Sequence, residues 1–125
     1  MTKIISLLTR YIIPNDANKD KVKRWVAMLP FAGPQQDEFE DRRVVAVYRS
    51  IQSKGMINPL LVHDCNANGI YTVAIGHQRL AALKALGWPT CEGIVIRDRG
   101  EIQQTIDKHY TPYIWCHDAQ DYIKA

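Results

Sequence analysis

The chain has 125 residues, and its 16 Lys and Arg side chains outnumber 13 Asp and Glu, for a net charge of +3. This length predicts one compact domain over residues 1–125, and the charge lacks the strongly basic balance of a dedicated nucleic-acid binder. No apolar run approaches the roughly 20 residues that span a bilayer, so we expect no membrane segment. Three cysteines without paired spacing (Cys65, Cys91 and Cys116) favour a reduced, cytoplasmic protein.

The first third of the chain predicts one short apolar element and one helix. Residues 4–13 are rich in apolar and β-branched side chains and end at a Pro-Asn turn signal, which predicts a strand or a short helix. In residues 19–29 apolar side chains recur at helical spacing: Val22, Trp25, Val26 and Leu29. This spacing predicts a helix, which the loop at residues 30–34 ends.

The middle of the chain predicts a longer helix and then a hairpin. Residues 38–54 carry an apolar stripe, and Gly55 follows where a C-terminal cap belongs. Residues 60–63 and 70–75 have strand composition, and the segment between them is dense in turn-forming residues. We therefore predict two strands joined as a hairpin.

The last part of the chain predicts helices alternating with a strand. A helix over residues 77–86 stops at Gly87, a strand covers residues 91–97, and a helix covers 99–110. The tail at 111–125 contains several aromatic side chains, and we expect it to pack on the domain. Together these elements predict an α+β domain.

The most informative local feature is Gly76-His77-Gln78-Arg79, at the junction of a strand and a helix. A helix N-terminus has unpaired backbone N–H groups and a positive dipole end, so anions bind there. Gly76 allows a sharp turn and a close ligand, while Arg79 can grip a phosphate with two N–H groups. The alternative is purely structural: Gly76 only turns the chain, His77 faces solvent and Arg79 pairs with a surface carboxylate.

The order of these elements resembles the N-terminal domain of ParB-like proteins, in the ParB/sulfiredoxin superfamily. The resemblance covers about residues 42–96, and these positions match the family pattern: Ser50, Ile51, Gly55, Pro59, Leu60, Leu61, Val62, Tyr71, Thr72, Val73, Gly76, Arg79, Ala81, Ala82, Leu86 and Gly87. It implies a small domain with a short mixed sheet and helices packed on it. In ParB proteins the Gly-x-x-Arg turn binds CTP with Mg²⁺, whereas other members use ATP.

The resemblance also implies a binding site and a set of possible functions. Gly76, His77, Gln78 and Arg79 would contact phosphates, and Asn58 would lie near the same pocket. The implied function is that of a stand-alone nucleoside triphosphate-binding domain that is an NTPase or a phosphotransferase, with no catalytic residue assigned. Arg79→Ala is then expected to abolish nucleotide binding and leave the fold intact.

This sequence departs from the family in ways that keep alternatives open. His77 replaces the cysteine that sulfiredoxin needs, which excludes its thiol mechanism. The His-Gln pair also replaces a Glu-Arg pair that is usual in ParB proteins. One alternative is a non-catalytic module that binds DNA or a protein through a cluster of basic residues, and another is a ParB-like nuclease. The cluster consists of Lys21, Lys23, Arg24, Arg42 and Arg43. We expect no dedicated metal site in the sequence, because zinc-ligand spacings are missing.

Overall fold

A five-stranded mixed sheet forms the centre of the fold in the computed structural model, which describes residues 3–33, 35–56, 58–64, 69–110, 113–116 and 121–124. The strands are β1 (Ile5–Leu8), β2 (Ile12–Ile13), β3 (Leu60–Asp64), β4 (Tyr71–Ile75) and β5 (Thr90–Ile96). They lie in the order β1-β5-β3-β4-β2. The β1–β5 and β3–β4 pairs are antiparallel, and the β2–β4 and β3–β5 pairs are parallel.

Four helices accompany this sheet: α1 (Lys19–Met28), α2 (Phe39–Lys54), α3 (His77–Leu86) and α4 (Glu101–His109). Buried side chains of the first three helices form one core with Leu60 and Val62 of β3. Leu61 points to the opposite face and packs with the α4 residue Ile106. This alternation is expected because successive strand residues face opposite sides of a sheet. Both faces of the sheet are therefore covered by helices, and the predicted α+β fold is confirmed.

The predicted elements agree with the structure except near their ends and in the N-terminal segment. The predicted strand or short helix at 4–13 is two short strands separated by the 3₁₀ turn Thr9–Tyr11. The helix predicted for 99–110 is two residues shorter at its start and one at its end, and β5 begins and ends one residue earlier than predicted. The β3–β4 hairpin is confirmed, but residues 65–68 of its predicted turn, with Cys65, lie outside the described residues.

The tail forms a second, two-stranded sheet from β6 (Tyr113–Cys116) and β7 (Asp121–Lys124), whose strands run antiparallel. The sequence predicted packing for this segment but no strands. The backbone of β7 lies against α2, so the predicted packing of the tail on the domain is confirmed. Among the described residues, no helix combines the length and the apolar character needed to cross a membrane.

Candidate functional site

The turn that contains Gly76 lies at one end of the central sheet, where β4 ends and β3 begins. Leu61 pairs with Ile75 across the hairpin, so the Asn58-Pro59 segment that leads into β3 lies beside the turn. Strand β2 runs parallel to β4, which brings the residues after it to the same end of the sheet. The backbone N–H of Asn15 donates to Nε2 of His77 at 3.3 Å. Three segments that are distant in sequence therefore meet at this turn.

Glycine is required at position 76 for two reasons. Its φ is 115° and its ψ is 31°, a left-handed conformation that L side chains rarely adopt. A Cβ at this position would lie 2.6 Å from Cδ2 of Leu60 and 3.1 Å from Nη2 of Arg79. The bare backbone therefore lets the Arg79 guanidinium lie directly beside the turn.

The start of α3 has backbone donors without partners within the helix. The first intrahelical bond of α3 runs from the N–H of Leu80 to the carbonyl of Gly76, at 2.8 Å. The N–H groups of His77, Gln78 and Arg79 precede it, and Gly76 has no side chain to cap them. The first turn of α3 also has no acidic side chain. This helix end is therefore suited to bind an anion.

The Arg79 guanidinium, which lies at this end of the sheet, is held by hydrogen bonds to other parts of the protein. Its Nη1 donates to the carbonyl oxygens of Asn58 at 2.6 Å and Pro59 at 2.9 Å. Its Nη2 donates to the hydroxyl of Tyr110 at 3.0 Å. The guanidinium therefore connects the start of β3 to the end of α4. Removal of the Arg79 side chain would consequently remove structural contacts as well as a positive charge.

A cavity of about 860 Å³ opens at this turn and brings together most of the predicted site residues. The predicted phosphate-binding residues on its wall are Asn58, Gly76, His77, Gln78 and Arg79. Two residues of the predicted basic cluster, Lys21 and Arg43, line the same cavity because α1 and α2 pack beside α3. The wall also includes Trp25 and Ile51, so it has apolar as well as polar surface.

The other three basic residues of the cluster do not line this cavity. Lys23 is exposed on α1, and Arg42 donates from Nη1 to the carbonyls of Gln36 at 2.9 Å and Asp37 at 3.2 Å. Arg24 forms two hydrogen bonds with the buried Asp41 carboxylate, at 2.8 and 3.0 Å. The cluster is therefore divided between the cavity, internal contacts and solvent, and the DNA- or protein-binding alternative stays a prediction.

Burial changes the properties of His77 in a way that matters for anion binding. Desolvation of the half-buried imidazole lowers the pKa of His77 below its ordinary 6.5. Its Nε2 accepts the hydrogen bond from Asn15, so the ring is neutral and carries its proton on Nδ1. His77 can therefore contribute a neutral N–H donor, and its contribution does not depend on a positive charge.

Two carboxylates, those of Glu40 and Asp107, line the cavity. Glu40 forms an ion pair with Lys21, at 2.9 Å between Oε2 and Nζ, and both side chains are partly exposed. Within the described residues, no group of three or more His, Cys, Asp or Glu side chains could hold a metal ion by itself. A metal ion held here by described residues would therefore need further ligands, for example the phosphates of a bound nucleotide.

Sequence reasoning missed Tyr110 and Asp107 as parts of the site. Tyr110 is 31 residues from Arg79 in sequence, and it reaches the turn only because α4 packs on the second face of the sheet. Neither residue belongs to a local motif, so only the three-dimensional structure indicates their position at the cavity.

The sequence model of the ParB N-terminal domain matches residues 21–108, more than two thirds of the chain. The chain belongs to the ParB N-terminal domain family. A nucleoid occlusion protein from Geobacillus thermodenitrificans (strain NG80-2) is 25% identical over 69 residues, 55% of this chain and 24% of that protein. The ParB-like domain thus spans about a quarter of the length of this relative.

Solved structures share the fold of the ParB-like domain at low sequence identity. ParB from Caulobacter crescentus, C-terminally truncated and in complex with CTP-γ-S, has a TM-score of 0.53 and 19% identity, over 85% of this chain and 52% of that chain. Sulfiredoxin from Arabidopsis thaliana has a TM-score of 0.50 and 20% identity, over 82% and 93%. A free serine kinase in complex with AMP has a TM-score of 0.50 and 15% identity, over 93% and 47%. These likenesses identify the ParB/sulfiredoxin-like fold.

Proposed function

We propose that this ParB-like domain binds a nucleoside triphosphate, CTP or ATP with Mg²⁺, with its phosphates at the N-terminus of α3. One observation carries the proposal: the uncapped start of α3 and the Arg79 guanidinium line one cavity. Backbone N–H groups and a guanidinium are the donors that proteins commonly use for phosphate. His77 and Gln78 add side-chain donors beside them, and Asn58 adds a neighbouring polar residue.

The charge and size of the cavity support a nucleotide rather than a single phosphate ion. Among the described residues of its wall, the three cations Lys21, Arg43 and Arg79 exceed the two carboxylates of Glu40 and Asp107. The volume of about 860 Å³ lies within the range of about 300–1,000 Å³ that is usual for small-molecule sites. The apolar part of the wall offers a surface for a base or a ribose.

The structural neighbours also support a nucleotide. The ParB structure contains CTP-γ-S and the serine kinase structure contains AMP. Their nucleosides differ, so the comparison favours a shared phosphate-binding turn and leaves the base as part of the proposal. A panel of nucleotides is therefore the appropriate set of ligands to test.

The chemistry of the wall fits a nucleotide-bound Mg²⁺. This ion is usually held by one or two carboxylates together with substrate phosphates, and it keeps several waters. Of the described wall, Glu40 or Asp107 would supply a carboxylate ligand, each with one oxygen already bonded, to Lys21 and to Gln103 respectively. When bound, Mg²⁺ would neutralise part of the charge on the phosphate oxygens.

Hydrolysis or phosphoryl transfer would need an additional group that activates the acceptor. A general base must lie within hydrogen-bond reach of the proton that it removes. Glu40 and Asp107 are the carboxylates that the described wall offers for this role. Nucleotide binding should be tested first, because it does not require this assignment.

The proposal is tested by comparison of His77→Pro with His77→Ala. Both variants lose the imidazole, but only proline also removes the backbone N–H. His77 is the first residue of α3, where proline removes no intrahelical bond, although proline disfavours the ψ of 31° at the preceding Gly76. The comparison therefore isolates one backbone donor at the proposed phosphate site.

Isothermal titration with CTP and ATP in the presence of Mg²⁺ should show weaker binding by His77→Pro than by His77→Ala. A hydrogen bond to a charged group contributes about 1.5–3 kcal/mol, so the expected difference is about 10- to 150-fold in affinity. Urea unfolding of both variants without ligand controls for damage to the fold. Equal affinities in two equally folded variants would contradict phosphate binding at the start of α3.

A further inference from the structure

The internal bonds of Arg79 use one edge of its guanidinium. Both hydrogens of Nη1 are committed, one to the carbonyl of Asn58 and one to that of Pro59. One hydrogen of Nη2 is committed to the hydroxyl of Tyr110. The Tyr110 hydroxyl is also hydrogen-bonded to the Pro59 carbonyl, so these two oxygens lie side by side. Both face the end of the guanidinium that carries Nη1 and Nη2.

The opposite edge of the Arg79 guanidinium keeps two donors. Three of its five N–H groups are used by these protein acceptors, and within the described part of the chain the Nε–H and the second Nη2–H have no acceptor. These two groups are parallel and form the fork that fits two oxygens of one phosphate. The guanidinium also lies beside Gly76, because a Cβ there would be 3.1 Å from Nη2 and 3.3 Å from Cζ.

Tyr110 fixes this orientation through two kinds of contact. Its hydroxyl donates to the Pro59 carbonyl at 2.5 Å, which leaves an oxygen lone pair to accept from Nη2 of Arg79. Cζ of Arg79 also lies 5.1 Å from the centre of the Tyr110 ring, in cation–π range. The hydroxyl thus accepts a hydrogen bond from one end of the guanidinium, and the ring makes a cation–π contact with the same group.

We infer that Tyr110 is the positioning residue for Arg79 and turns the Nε–Nη2 edge of its guanidinium to a phosphate in the cavity. The inference rests on the proposed function and extends it to a residue outside the Gly-x-x-Arg turn. Its consequence is selective: Tyr110 strengthens binding of the triphosphate group and leaves binding of the base and ribose unchanged.

Arginine side-chain NMR of the protein without ligand tests the positioning directly. In the wild type, the hydrogen-bonded Nη groups of Arg79 should rotate slowly and give separate ¹⁵N–¹H signals. Tyr110→Phe keeps the ring and removes the hydroxyl, so the Nη2 signals of Arg79 should broaden or merge. Tyr71→Phe is the matched control, because Tyr71 lies on β4 and does not line the cavity. Unchanged Arg79 signals in Tyr110→Phe would overturn the inference.

Titrations with CTP, ATP, inorganic triphosphate, cytidine and adenosine test the effect on binding. Tyr110→Phe should weaken binding of the three triphosphates by about 2- to 10-fold, less than the full effect of a hydrogen bond to a charged group because Arg79 keeps its two Nη1 bonds, and it should leave nucleoside binding unchanged. Arg79→Lys keeps the charge but lacks the fork, so adding Tyr110→Phe to it should cause no further loss. An equal loss for nucleosides, or a full loss in the Arg79→Lys background, would overturn the inference.

The same titrations separate this inference from the proposed function. Wild type that binds inorganic triphosphate but no nucleotide would refute the proposed function, while a Tyr110 effect on inorganic triphosphate would uphold the positioning role. Nucleotide binding that does not change in Tyr110→Phe would refute only the positioning role. Wild type that binds none of the phosphate ligands would refute both.

Discussion

Substitution of Gly76 by alanine should strongly destabilise the domain, because the two requirements for glycine act together. An L residue in the left-handed region costs about 1–2 kcal/mol. The new Cβ would also meet Cδ2 of Leu60 at 2.6 Å, and Leu60 is 0% exposed and cannot move into solvent. Overpacking of this kind costs about 1–3 kcal/mol. The expected loss of unfolding free energy is therefore about 2–5 kcal/mol.

Gly87→Ala provides a control without the clash, at a φ that lies nearer to the range of L residues than the φ of Gly76. Gly87 also has a left-handed φ, of 72°, but a Cβ there would meet nothing within 4 Å. Gly87→Ala should therefore lose only about 1–2 kcal/mol. Urea unfolding of the wild type and both variants measures the difference. If the two variants were equally destabilised, the argument that Leu60 and Arg79 crowd position 76 would be refuted.

Three further predictions concern pH and the internal bonds of the site. Burial lowers the pKa of His77, so just below pH 6.5 the unfolded chain binds more protons than the folded chain. The unfolding free energy of the wild type, measured in urea, should therefore fall as the pH drops below 6.5. His77→Gln should remove this part of the pH dependence. The hydrogen bonds from Arg24 hold the pKa of Asp41 below its usual 3.8. The wild type should therefore have a higher unfolding free energy than Asp41→Asn above pH 3.8, and acid unfolding should show this difference shrinking as the pH falls below 3.8. Arg79→Ala should lose about 1–3 kcal/mol of unfolding free energy in urea, because it removes the hydrogen bonds of the guanidinium to the carbonyls of Asn58 and Pro59 and to the Tyr110 hydroxyl, and a wild-type midpoint in this variant would show that these bonds contribute nothing.

Much of the fold could be predicted from local sequence because the main helices carry strong local signals. The buried side chains of α2 recur at helical spacing. Gly55 ends α2 and Gly87 ends α3, each with a positive φ that favours glycine. The two N-terminal strands are different, because β2 has only two residues and both strands depend on partners far along the chain. Periodicity cannot reveal such short elements, since their stability comes from long-range pairing.

The site was predictable only in part, for a similar reason. The Gly76 turn is a local signal, because a single glycine and the start of a helix define it. The sequence places Lys21 and Arg43 in a basic cluster away from the turn, but helix packing brings them to the cavity beside the turn. The hydrogen bonds of Tyr110 to Arg79 and Pro59 depend on tertiary contacts between the two faces of the sheet, which sequence spacing does not encode.

Thermal unfolding of the wild type with ligands is the direct test of nucleotide binding, through the phosphates, in the cavity at the start of α3. The panel consists of CTP, ATP, GTP and UTP, each with and without Mg²⁺, beside cytidine and adenosine. A ligand at about 100 times its dissociation constant stabilises the folded state by about 2.7 kcal/mol. We predict such a shift with CTP or ATP and a much smaller shift with the matching nucleoside. No shift with any triphosphate, or equal shifts with triphosphate and nucleoside, would contradict it.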